Sequence, residues 1–322
     1  MSDPAPSRPA RETVPAWCVR RLTFPVAFGA TFAAAYHFIY AGYSAFYVTP
    51  LVLAGFCLFL IPLERYLPFA PLWNTPQADM VADGGFALSE MLLAPVFEAT
   101  LYLGAVEVNA RLTGALQLGL WPARWPGVVQ ILIAAVICDF FLYWVHRYSH
   151  EHDTFLWKLH SVHHSPTRLY WFNSRRQHPI QLVIVLVCVM IPLGLLGVTK
   201  EVLSLAIILQ SLHSIASHVN IDVRLGPLNW IFNMAEVHRW HHSLILKEAN
   251  RNYAPTFALW DIVHGTRHYP SRAPFPGDKP VGLSHAGGYR SSSYPKRFLG
   301  IVMYPFTWRT YQQAGLDHLR RT

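Results

Sequence analysis

The deciding stretch reads His146-Arg-Tyr-Ser-His150, then His160-Ser-Val-His163-His164, then a long gap holding His178, His213 and His218, and finally His238-Arg-Trp-His241-His242. Twelve of the chain's seventeen histidines fall within it. On an α-helix, residues three and four apart share a face. The spacing therefore turns two or three imidazoles of each cluster in one direction, while His152 falls off the first face and reads as a surface residue. Eight clustered imidazoles exceed the four ligands of a structural zinc and the three of a catalytic one. A two-metal site is the economical reading. Imidazole suits iron, zinc, copper and nickel alike, so the spacing leaves the metal open. The Glu-x-x-His pairs of soluble di-iron bundles do not occur in these clusters.

Working outward, the chain around these clusters is written for lipid. Of its 322 residues 52% are apolar and 14% are charged, a membrane composition. Apolar segments occupy residues 24–47, 51–63, 86–108, 128–145, 180–198 and 202–215, several of them near the roughly 20 residues that cross a bilayer. Pro50 is expected to break the first from the second. The third carries Glu90, Glu98 and Glu107, costly in lipid, and reads as a span or an interfacial helix. Trp121 and Trp125 suit an interface. The fourth segment runs without a break into His146, which places the first cluster at the end of a span. Residues 147–177 are basic and face the cytoplasm by the positive-inside rule. For all clusters to meet on one side, 180–198 and 202–215 must form a hairpin that returns the chain.

The net charge of +8 is spread over linkers. No basic stripe interleaves with aromatics, so anionic lipid is a better match than nucleic acid. Cys18, Cys57, Cys138 and Cys188 form no Cys-x-x-Cys pair, which excludes a disulfide framework or a thiolate metal site. Residues 1–21 read as a polar, basic tail holding the N-terminus in the cytoplasm, not as a signal peptide. The fold expected is all-α: a polytopic membrane protein with about four to six transmembrane or re-entrant helices and a cytoplasmic histidine-rich helical cap. A short N-terminus without targeting signals fits a bacterial inner membrane.

Asp139-x-x-x-Tyr143-x-x-His146-Arg147-x-x-His150, Trp157-x-x-His160-x-x-His163-His164-Ser165, Leu225-Gly-Pro-Leu228-Asn229, His238-Arg-x-His241-His242, Asn252-Tyr253, Trp260-Asp261 and Gly265-Thr266 together resemble the fatty acid hydroxylase/sterol desaturase superfamily, over about residues 130 to 268. The resemblance implies a histidine-ligated di-iron, non-haem centre that activates O2 on the cytoplasmic face and hydroxylates or desaturates a lipid such as a sterol, a fatty acyl chain or an aminolipid. It implies ligands at His146, His150, His160, His163, His164, His218, His238, His241 and His242. His213 lies five residues before His218, about 140° around a helix, and reads as an interior histidine or one that supports a ligand. His178, in a His-Pro step, is open between ligand, ligand support and helix start. Asp139 and Asn220 are candidates to orient imidazole N–H groups. Ala254 stands where many members have Gly, and His264 where an aromatic is usual.

On this reading the chain divides into the tail 1–21, membrane helices 22–127, a fatty acid hydroxylase-like catalytic domain 128–270 and a polar C-terminal tail 271–322. No haem or flavin module is present, so electrons are expected from an external donor, a ferredoxin or cytochrome b5 type with its reductase. Tyr170, Trp171 and Phe172 could line the substrate entry or anchor the interface. The alternative is a histidine-rich membrane metal transporter or metal-binding protein. Transporters place ligands and acidic groups near the midplane, whereas these clusters sit at span ends. Bis-histidine haem ligation would leave most of the set unused.

Overall fold

The first helix, α1 (Val14–Tyr40), is turned back by Gly42, whose φ of +91° suits only a residue without a Cβ. Ser44 then caps α2 (Ala45–Tyr66) by accepting from the Phe46 amide at 3.3 Å. The computed structural model describes residues 13–77, 79–116, 120–270, 274–283 and 294–321. Among them there is no named strand, and eleven α-helices carry the fold. The break between the first two helices falls at residues 41–44, so Pro50 does not end a helix as expected. It rides inside α2, where its missing N–H leaves one intrahelical hydrogen bond unmade. Helix α1 also begins inside the stretch read as a tail.

Next come α3 (Met80–Leu116), α4 (Gly127–Glu151), α5 (Phe155–His164), α6 (Pro179–Leu196) and α7 (Lys200–His218). Five helices, α1 to α4 and α6, are long and apolar enough to cross a membrane. Their outer faces expose Leu51, Leu58, Met91, Val96 and Leu103 at 62% or more, a surface stable against lipid and not against water. The integral-membrane fold expected from the composition is therefore what the chain adopts. The sixth apolar segment, α7, is different in kind. It packs against α1, α2 and α4 and buries residues around most of its circumference, so its apolarity serves the protein core.

Helices α6 and α7 are the expected hairpin, turned at Gly197 with φ of +80°. Long helix α3 lies along α6, tied at the turn end by Tyr102 Oη donating to the Val198 carbonyl at 2.9 Å and Asn109 Nδ2 donating to Leu195 O. A Cβ on Gly194 would stand 2.5 Å from that of Ala105, so glycine is what lets these backbones close. The arms of the hairpin diverge, α6 onto α3 and α4 and α7 onto α1, α2 and α4, which leaves a space between them.

The cap over one end consists of α5, a 3-10 turn at Trp171–Arg175, α8 (Ala235–His241), α9 (Leu246–Ala249), α10 (Leu259–Val263) and α11 (Phe298–Arg321). Helix α11, in the stretch expected to be a polar tail, packs on α5 and α3. Buried charges pin the cap to the membrane helices. Arg176 pairs with Asp83 at 2.5 Å and donates to Val162 O at 2.9 Å; removing one partner of such a pair costs about 3–5 kcal/mol. Glu64, 4% exposed, accepts from the Trp171 and Asn220 amides at 2.8 Å each. The sequence gives Glu64 only as the polar end of a span; the fold makes it a tie between three segments.

Candidate metal centre

Four helices deliver nine imidazoles to one place. His146 and His150 come from the last turns of α4, His160, His163 and His164 from α5, His218 from the end of α7, and His238, His241 and His242 from α8 and its C-cap. They sort into two groups: His146, His150, His160, His164 and His241 in one, His163, His218, His238 and His242 in the other. Within each group the candidate ligand nitrogens all lie within 4.8 Å of one another.

The donor set fits metal ions better than it fits itself. His146 Nδ1 lies 2.6 Å from Tyr253 O, His241 Nδ1 2.8 Å from Arg251 O and His218 Nδ1 2.7 Å from Ser214 O. A carbonyl only accepts, so each Nδ1 carries the proton and each Nε2 turns a lone pair inward. His146 Nε2 and His241 Nε2 are buried with no hydrogen-bond partner among the described residues. Elsewhere Nε2 atoms face one another: His150 to His164, His164 to His160 and His163 to His218 at 3.1 Å, and His238 to His242 at 3.0 Å. Metal ligation would leave every one of these facing nitrogens a lone pair, as the Ser214 carbonyl already does for His218, and buried facing lone pairs are unfavourable unless a cation lies between them. Burial, and then the neighbouring rings, hold His164 and His242 well below the ordinary imidazole value, the neutral state a metal requires.

The groups that orient these rings are mostly backbone. The carbonyls of Arg251 and Tyr253 flank Asn252, whose φ of +55° puts it in the left-handed region, which Asn tolerates better than most residues. Its side chain holds that turn through His268 O and the His268 amide at 2.8 Å each. Asp261 accepts from the Tyr253 amide at 2.8 Å, the Ala254 amide at 3.0 Å and Thr266 Oγ1 at 2.7 Å. The Asn252-Tyr253, Trp260-Asp261 and Gly265-Thr266 pairs are thus one cradle for two histidines. Gln181 contacts His160 Nδ1 at 2.7 Å through Nε2 while its Oε1 has no partner. Turning the amide over lets Oε1 accept from Nδ1–H and frees the His160 Nε2 lone pair.

Asp139 and Asn220, the two residues expected to orient imidazoles, bond elsewhere. Asp139 accepts from the Thr256 amide at 3.1 Å, the Phe257 amide at 2.6 Å and Gln210 at 3.1 Å. Asn220 pairs with the backbone of Ala70 at 2.9 and 3.0 Å and with Asn74. Both hold loops, because each faces chain that crosses it and not an imidazole edge. His178 caps α6, accepting from the Ile180 amide at 3.1 Å while Nε2–H donates to Val302 O at 3.0 Å. Both its nitrogens are spent, so it is a helix-start residue. His213 is fully buried, outside both groups, beside Phe232. His152 stacks on Tyr148 at the surface, as expected. His264 stacks on Tyr143, centroids 5.0 Å apart, and so fills an aromatic's place.

A cavity of about 920 Å³ occupies the space between the α6 and α7 arms and ends on His146, His160, His163, His218 and His238. Leu53, Leu186, Val189 and Met190 line its upper part, and its volume suits a large apolar ligand. Of the three aromatics expected at an entry, Trp171 lines the cavity. Phe172 stacks on Trp171, and Tyr170 is buried and donates to Asp83 at 2.5 Å. The cysteines are all unpaired.

Membrane-length helices, an apolar cavity and paired histidine groups at its end define an integral-membrane protein built to bring an apolar molecule to a metal-binding site. Comparison with known proteins agrees. The fatty acid hydroxylase family matches residues 131–266. An ornithine lipid hydroxylase of Rhizobium tropici is 32% identical over 246 residues, 76% of this chain and 71% of its own. The alkylglycerol monooxygenase of Danio rerio is 28% identical over 60% of this chain and 40% of its own. Methylsterol monooxygenase 1 of Rattus norvegicus is 30% identical over 43% and 46%. No solved structure matches. The chain belongs to the fatty acid hydroxylase family.

Proposed function

We propose that this chain is a membrane-bound, O2-dependent lipid hydroxylase or desaturase whose nine clustered histidines hold two iron ions. The observation that carries the reading is the convergence of two neutral imidazole groups beside a cavity that lies among membrane helices. Relatives named for ornithine lipid, alkylglycerol and methylsterol support a lipid as the substrate. His146, His150, His160, His164 and His241 would hold one ion, and His163, His218, His238 and His242 the other. Bound iron would supply the activation of O2 needed to attack an unactivated C–H bond.

The chain's own contribution is placement. Carbonyls of Arg251, Tyr253 and Ser214 keep the protons on Nδ1, so the inward nitrogens stay unprotonated. The apolar walls exclude water and align the lipid. Electrons come from an external donor, a ferredoxin or cytochrome b5 type with its reductase. The basic segment 147–177 supports a cap on the cytoplasmic side, and a bacterial inner membrane is the membrane proposed. A metal transporter fits less well, since the histidines lie at helix ends.

Purified protein is expected to contain iron and to consume O2 when given lipid and a competent donor. Lipid extracts of cells with and without the gene should differ by one oxygen or by two hydrogens, read by mass spectrometry. Protein that binds only zinc, or that consumes no O2 with any lipid and a competent donor, would sink the reading.

A further inference from the structure

The cavity is not uniform along its length. Besides its apolar residues and five histidines, its lining includes Ser211, Ser214 and Ser217 of α7 together with Ser174 and Gln177, and beside Ser211 stands an ion pair. Arg175, which lines the cavity with Glu90, donates from NH1 to Glu90 Oε1 at 2.7 Å and from NH2 to Ser211 O at 3.3 Å. Their side chains are 17% and 27% exposed. Arg175 Nε and the second oxygen of Glu90 make no hydrogen bond among the described residues. An alkyl chain laid here would strip water from polar groups and return nothing. A headgroup would satisfy them.

We propose that the Arg175–Glu90 pair is the headgroup subsite of this cavity. It takes a lipid bearing both a primary ammonium and an anionic group, carboxylate or phosphate, so that the carbon presented to the histidines lies in or next to the headgroup. The proposal rests on the lipid-oxygenase reading and specifies its substrate class. The free edge of the guanidinium receives the anion in the forked geometry that suits it, and the second Glu90 oxygen receives the ammonium. The acyl chains then run up the apolar part of the cavity. The opposite orientation has one anchor, Glu98, which lines the cavity about 12 Å further along α3 and has no ion pair among the described residues. An ammonium held there would send a chain terminus to the histidines.

The test uses the purified protein in detergent with three lipids of matched acyl chains: an ornithine-type aminolipid with a free carboxylate, phosphatidylethanolamine and uncharged diacylglycerol. Bound lipid is read by native mass spectrometry. Wild type should retain a zwitterionic lipid about tenfold or more over diacylglycerol, and the preferred zwitterion identifies the anion. Glu90→Gln and Arg175→Gln should remove the preference, and Glu98→Gln should keep it. Glu90→Gln leaves the Arg175 bond to Ser211 in place, so it serves if Arg175→Gln does not fold. In turnover, the added oxygen should appear in the headgroup fragment. A preference that survives Glu90→Gln, a preference lost in Glu98→Gln, or oxygen in an acyl fragment overturns the proposal and leaves the oxygenase reading standing. A wild type that oxygenates no lipid overturns that reading instead, and the binding preference still decides this one.

Discussion

The two histidine groups are built from the same helices in opposite proportions. Helix α5 gives His160 and His164 to the five-membered group and His163 to the four-membered one; α8 with its cap gives His241 to the first and His238 and His242 to the second. Helix α4 then adds two rings to the first and α7 one to the second. Spacing alone suggests that each His-x-x-His-His triad points one way. Neighbouring residues on a helix are about 100° apart, so the adjacent pair His163-His164 must diverge. Each triad is therefore a bridge between the groups, and the two groups are mechanically one object. They differ in support: the first is oriented by the 251–253 turn and Gln181, the second by Ser214 O at the end of a core helix.

The largest effect should come from cutting that bridge. His163→Ala removes one of four donors from the smaller group and should lower turnover by more than about 100-fold, since even residues that only orient ligands cost 10–100-fold. Its iron content should fall, and His150→Ala, which takes one of five donors, should lose less. Equal iron loss in the two variants, measured on purified protein, would show that the groups fail together and sharpen the idea of one object. Full iron and full turnover in His163→Ala would break it.

A smaller effect is expected from Gln181, which touches only the five-membered group. Gln181→Leu should weaken iron retention about 10-fold, seen as faster loss to a chelator, and Gln181→Glu, which keeps an acceptor for His160 Nδ1–H, should restore most of it. An unchanged chelation rate in Gln181→Leu would mean that helix packing alone sets the His160 ring.

The smallest effect is on folding of the metal-free protein. Burial depresses the imidazoles of His164 and His242 from an ordinary value of 6.5, so below that value the unfolded chain binds protons that the folded chain refuses. Stability from these groups is present above about pH 6.5 and is lost as the pH falls toward the depressed folded values. Thermal unfolding of chelator-treated protein should show a lower midpoint at about pH 5.5 than at about pH 7.5. A flat profile would mean that the folded chain takes up protons on these rings as readily as the unfolded chain does.

Much of this was legible because it depends on local rules. Apolar length marks the membrane helices, and i, i+3, i+4 spacing marks the clusters, since both follow from 3.6 residues per turn. The order of motifs fixed the family. The turn at residues 41–44 is not legible in the sequence, because a proline looks like a break wherever it stands, while Gly42 carries its signal only in φ. The cradle at 251–253 shows in the sequence as a motif without a role, because its contribution is a backbone carbonyl and no side chain advertises one. Residue type alone points to Asp139 and Asn220, and a polar residue near a cluster in sequence need not face it in space.

The amino-acid sequence by itself determined that this is an all-helical membrane protein of the fatty acid hydroxylase family with nine imidazoles available at helix ends. The tertiary structure decided how those imidazoles divide, which carbonyls set the tautomers of three of them, and that the α6 and α7 arms part to leave a cavity with a charged pair in its lining. The physical reason is range. Periodicity is written every few residues, whereas the meeting of Glu90 with Arg175, or of His146 with Tyr253, exists only after helices distant in sequence have packed.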